Sequence, residues 1–139
     1  MNSRLNLTLR ERLGLAYNVE SHYIPFSDTG LFLVYFGADR KDVDKCIFHI
    51  HKEFSKLCRQ ELGSLQLHRA KKQLIGQLAI GAENKENLMM SLSKTLLVFD
   101  RIESLEEIYQ NIEKVTSHQI LDVANVLLNP DSLSSLRFQ

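Results

Sequence analysis

Two groups of side chains in this sequence have the types and spacing to do chemistry. The first is Arg10 and Tyr17, in the stretch from Ser3 to Val19. The spacing predicts Arg10 in the last turn of a helix and Tyr17 at the start of the strand that follows. Gly14 between them makes a tight reversal that can bring the two tips together. A guanidinium and a phenol so placed offer hydrogen-bond donors to a peptide carbonyl or to the oxyanion developing on it. The same placement also suits plain structural roles, because arginine near a helix C-terminus favours the macrodipole and tyrosine is a natural strand residue. The second group is Cys46, His49 and Glu53, at i, i+3 and i+7 and within about 60° on one helical face. Thiolate, imidazole and carboxylate are zinc ligands. The stripe also flanks an apolar face, and reads more simply as a core-edge cysteine beside two solvated residues.

Other chemistries lack their residues. Gly76 and Gly81 have the outer spacing of a phosphate loop, but Ala82 and Glu83 stand where Lys and Ser/Thr must be. No G-x-S-x-G, H-E-x-x-H or H-x-x-E-H occurs. No metal ligand and no cofactor-binding residue is therefore expected in this chain.

The elements that position these residues belong to one ordinary globular chain of 139 residues and 16.0 kDa, with 44% hydrophobic and 24% charged residues. Seventeen Lys and Arg balance seventeen Asp and Glu, so a general nucleic-acid binder is not expected. The longest apolar run, Leu31 to Phe36, is far short of a membrane span, and the N-terminus has no signal-peptide core. Cys46 and Cys58 lie roughly 18 Å apart along one helix, too far for a disulfide. A soluble protein of unassigned compartment is the expectation.

Along the chain, Ser3 caps a first helix to Leu13, with Leu5, Leu9 and Leu13 on one face. Ala16 to Tyr23 reads as a strand with Tyr17, Val19, Ser21 and Tyr23 on one side, and Pro25, Ser27, Asp28 and Gly30 make the turn. Leu31 to Phe36 lacks alternation and reads as an interior strand covered on both faces, antiparallel to the first. A helix from Asp39 and Asp42 to about Gln60 buries Val43, Ile47, Ile50, Phe54 and Leu57. Gly63 breaks it and Ser64 caps the next, with Leu67, Ala70, Leu74 and Leu78 in helical rhythm. A bend falls near Glu83 to Lys85, after which Leu88, Leu92, Leu96 and Phe99 continue a stripe. Ser104 with Glu107 and Thr116 with Gln119 are capping boxes. Asn129-Pro130-Asp131 stops the last helix, and Leu133 to Phe138 is expected to return as a strand.

The stretch Ser3-Arg4-Leu5, with Leu9 through Val19, resembles the second-domain signature of the pitrilysin/insulinase-type zinc metallopeptidases, the inverzincins and their processing-peptidase relatives. Asp28-Thr29-Gly30-Leu31-Phe32, then Arg69-Ala70-Lys71 with Leu74 through Leu78, then Ser104 through Glu107 with Ile112 and Val115-Thr116, match in the same order. The resemblance implies an α+β fold, an antiparallel-rich sheet with several helices packed on one side, as part of a half-clamshell. It implies that residues 1–139 form a single partial domain of the second, non-metal kind, beginning after that domain's opening strand and first helical layer. Zinc would then lie in the parent protein or a partner domain, with none in this chain.

The family pairs an arginine and a tyrosine seven residues apart, which selects Arg10 and not Arg12 as the partner of Tyr17. The implied function is a fragment of a zinc metalloendopeptidase that forms part of the peptide chamber and presents this pair to the substrate carbonyl or oxyanion, inactive by itself. The alternative is a non-catalytic scaffold subunit of the same fold. The expected partners are a peptide substrate, a missing N-terminal domain or partner subunit, and, for the fragment alone, further copies of itself.

Overall fold

Ser3 opens the first helical element, its Oγ accepting the amide N–H of Asn6 at 3.2 Å. The helix then widens: Asn6–Arg12 is π-helical, and the Leu13 amide donates five residues back to the Thr8 carbonyl at 3.2 Å. A π-helical turn advances the side chains differently from an α-helix. Leu5 and Leu9 consequently reach the core, Leu9 with 0% exposure, while Leu13 turns out to 42%. The expected three-leucine face is therefore corrected to two. Gly14 closes the segment at φ +60°, its N–H bonded to the Arg10 carbonyl at 3.2 Å, a left-handed cap that glycine adopts without a Cβ penalty.

Strands β1 (Asn18–Pro25) and β2 (Gly30–Gly37) pair antiparallel, with Val19 opposite Phe36 and Tyr23 opposite Phe32. The computed structural model describes residues 3–26 and 28–138, so the expected role of Ser27 in the hairpin turn lies outside the described residues. One hairpin face carries Val19, Val34 and Phe36 into the core. The other carries Ile24, Leu31, Leu33 and Tyr35, all exposed. The expectation that β2 is covered on both faces is thus corrected: its lack of alternation reflects two apolar faces, of which one is covered.

Helix α1 (Val43–Arg59) supplies that cover. Cys46, Ile50 and Phe54 are buried, and the Phe54 ring lies 6.4 Å from that of Phe32. Helix α5 (Ser117–Leu127) adds Ala124, followed by Leu128. It is tied to α1 through the Asn125 Nδ2 bond to the Cys58 carbonyl at 3.2 Å. After a 3-10 turn at Pro130–Ser132 the chain to Phe138 forms no strand, against expectation. Side chains fasten it instead, with Leu133 packed against the core and Arg137 paired to Asp44 at 2.7 Å. Among the described residues the sheet has two strands.

These elements form one compact unit, made of the chain to Gln60 and from Leu121 onward. Glu61–Ile120 forms another, with α2 (Ser64–Glu83), α3 (Lys85–Phe99) and α4 (Leu105–Lys114). Gly63 occupies the cap position of α2 and Ser64 is its first helical residue, one place on from the expectation. The expected break falls at Asn84, whose Oδ1 accepts the Asn87 amide at 3.1 Å and caps α3. Both capping boxes form. Lys71 reaches the Glu113 carbonyl at 2.6 Å, joining α2 to α4. No residue of α2, α3 or α4 is buried among the described residues. The leucine stripes are present at helical spacing but lie half or fully open. The fold as a whole is α+β, helices with an antiparallel hairpin. Among the described residues no helix is long and apolar enough to cross a membrane.

Candidate functional site

Arg10 sits in the last turn of the π-helix, next to Leu9, whose burial pins the segment. The Leu9 carbonyl accepts the Leu15 amide at 2.8 Å and the Ala16 amide at 3.4 Å, which folds the chain back after Gly14. Arg10 is exposed, and its guanidinium makes no ion pair or hydrogen bond among the described residues. Beyond the turn, Ala16 is buried and the Tyr17 amide donates to the Gly37 carbonyl at 2.8 Å, extending the hairpin ladder by one bond. Arg10 and Tyr17 thus flank one turn, Tyr17 one residue before β1 and not within it, and both face solvent. No hydrogen bond joins them among the described residues.

The Tyr17 ring is 69% exposed. Its hydroxyl donates to Asp39 Oδ1 at 2.7 Å, within the range of a charge-assisted bond. That hydrogen bond, followed by the carboxylate's charge, slight desolvation and the charge of Asp42, raises the phenol above its ordinary value, so the hydroxyl keeps its proton at neutral pH. Asp39 lies in the connection from β2 to α1, where its carbonyl accepts the Asp42 amide at 2.8 Å. Sequence reasoning did not select Asp39. The hairpin register was the available signal: Asn18 opposes Gly37, so the residues just outside the ladder, Tyr17 and Asp39, are near neighbours.

The second candidate group does not assemble. Cys46 is fully buried and its thiol donates to the Leu15 carbonyl at 3.7 Å. Burial, then the nearby Asp42 charge, pushes that thiol up, which disfavours the thiolate that a metal needs. Glu53, expected in solvent, is buried and bonded to Lys56 Nζ at 2.6 Å. His49 stands edge-on to Phe48 with ring centres 5.4 Å apart. Among the described residues no group of three or more His, Cys, Asp or Glu could hold a metal ion. Cys46, His49 and Glu53 therefore do not fit a zinc site.

Residues 1–74 match the family described as the Peptidase M16 inactive domain. The chain is 28% identical over 131 residues to the uncharacterized zinc protease YmxG of Bacillus subtilis, covering 94% of this chain and 32% of that protein. It is 29% identical over 128 residues to the mitochondrial-processing peptidase subunit alpha of Rattus norvegicus, covering 92% and 24%. The chain therefore spans between 24% and 32% of the length of these curated relatives. Its fold is similar to that of a chain in Complex III2 from Candida albicans, at TM-score 0.80 and 21% identity over 91% of this chain and 30% of that one. The Ser3–Val19 signature and the Arg10–Tyr17 turn both fall inside the matched stretch, which is more than half of the 139 residues, and the chain belongs to the peptidase M16 family.

Proposed function

We propose that this chain is the non-metal part of a zinc metalloendopeptidase, a partial second domain that forms chamber wall and presents Arg10 and Tyr17 to an extended peptide. The observation that carries the reading is the Gly14 turn, which fixes two exposed hydrogen-bonding side chains on either side of it, Arg10 with its guanidinium uncommitted. Arg10 orients the scissile carbonyl, and both groups donate to the oxygen as it gains charge. Zinc belongs to another domain or subunit, which is also the partner that meets the apolar surfaces left open here.

The test is made in the intact protein together with its zinc-bearing domain or subunit. Tyr17→Phe keeps the ring and removes one donor, which costs about 3 kcal/mol in the transition state, or about a hundredfold in kcat. Arg10→Lys keeps charge but loses the planar fork and is also costly. Arg12→Lys is the mild control. Unchanged kcat in both Tyr17→Phe and Arg10→Lys, with normal thermal midpoints, would remove the reading.

A second reading is a scaffold subunit without catalysis. It is favoured by the description of the matching family as an inactive domain and by the similarity to a chain of Complex III2. In that case Tyr17 only fastens the end of the hairpin through Asp39, and Tyr17→Phe lowers the thermal midpoint without changing any turnover.

A further inference from the structure

We propose that Asp39 is a positioning residue for this site: its carboxylate occupies the Tyr17 hydroxyl in the resting protein and yields it only to an oxygen that has gained negative charge. The proposal rests on the reading of Tyr17 above and adds the resting acceptor of its single donor. A phenol has one O–H, and the 2.7 Å bond to Asp39 Oδ1 uses it. The O–H bond stays with the phenol throughout; only its acceptor changes.

The choice of acceptor decides where Tyr17 acts along the reaction. A neutral peptide carbonyl is a weaker acceptor than a carboxylate, because charge-assisted hydrogen bonds are roughly twice as strong as neutral ones. Bound substrate therefore leaves the Tyr17–Asp39 bond in place. An oxyanion holds its charge on one oxygen, where a carboxylate shares it over two, so it is the stronger acceptor and can take the donor; the gain in kcat is the amount by which its bond exceeds the Asp39 bond it replaces. An interaction made only in the transition state raises kcat, whereas one made equally with bound substrate lowers KM and leaves kcat unimproved.

The local structure suits such a hold. The Tyr17 backbone is fastened to Gly37 and its side-chain tip to Asp39, two residues further on, so both ends of one residue are anchored at the end of β2. The exposed ring has no other hydrogen bond at its tip among the described residues. Asp42, itself bonded to Lys45 at 2.7 Å, is the further charge acting on the phenol.

Asp39→Ala, Tyr17→Phe and the double variant separate the possibilities, assayed by peptide hydrolysis in the intact protein with its zinc-bearing domain or subunit. In Asp39→Ala the phenol is free to bind the ground-state carbonyl. KM then falls by about fivefold, the effect of one ordinary hydrogen bond, and kcat/KM rises, because no carboxylate bond has to be given up on the way to the transition state. In the Tyr17→Phe background Asp39→Ala has no further effect. On this chain alone, spectroscopic titration shows the Tyr17 phenol lower in Asp39→Ala than in the parent. An unchanged or raised KM, an equal effect in the Tyr17→Phe background, or an unmoved phenol titration overturns the proposal. If Tyr17→Phe is itself silent, the reading of the site fails. If Tyr17→Phe is costly and Asp39→Ala silent, only the role of Asp39 fails.

Discussion

Gly14 sets the geometry between Arg10 and Tyr17, and it does so through its backbone alone. At φ +60° it has no heavy atom within 4 Å of where a Cβ would stand. Gly14→Ala therefore meets no steric wall and pays only the left-handed conformation, about 1 kcal/mol. Gly14→Asn is milder, because asparagine tolerates that region better. Urea denaturation of both variants checks the ranking; an alanine variant as stable as the parent would mean that the turn relaxes to another φ. The placement of Arg10 and Tyr17 was legible because a leucine-spaced helix, a glycine and an aromatic strand start fall within fifteen residues. Asp39 was not legible, since its bond to Tyr17 spans 22 residues and depends on the hairpin register.

At the scale of elements, caps carried the information and packing did not. Ser104 Oγ accepts the Glu107 amide at 3.2 Å while Glu107 Oε2 accepts the Ser104 amide at 2.7 Å. Those bonds hold the Glu107 carboxyl below its usual range, the Ser104 backbone donor foremost. A lowered folded value means that this contribution is present above the ordinary glutamate pKa and is lost as pH falls through the folded one. Ser104→Ala removes one half of the box and costs about 1 kcal/mol, seen as lost α4 helicity and a lower midpoint. A midpoint unchanged from the parent would show that Lys71 and its neighbours hold α4 without the cap. The π-helical widening had no such signal, because leucines at i and i+4 satisfy an α-helix equally well. The sequence of β2 reads as an interior strand because Leu31, Leu33 and Tyr35 are as apolar as Phe32, Val34 and Phe36. A sequence records that both faces call for cover but not which chain provides it.

At the scale of the whole molecule, apolar side chains lie open in both compact units. Leu31, Leu33 and Tyr35 lie open on the hairpin's outer face, and Ile80, Leu97 and Phe99 lie open on α2 and α3. Both strands of the two-stranded sheet are also edges among the described residues, and unpaired edges template further pairing. Produced alone, the chain is therefore expected to self-associate and to bind an apolar dye. Sedimentation velocity over a wide concentration range measures the first. Leu33→Lys places a charge in the middle of the hairpin's outer face, opposite His22, and leaves Val34 and Phe36 in the core untouched. If association runs through this face, the variant shifts toward monomer with unchanged helicity. Phe99→Lys, at the end of α3, makes the same comparison for the helical surface. A parent chain that stays monomeric throughout and binds no dye would show that these surfaces are tolerated in water, and with that the need for a covering partner would go.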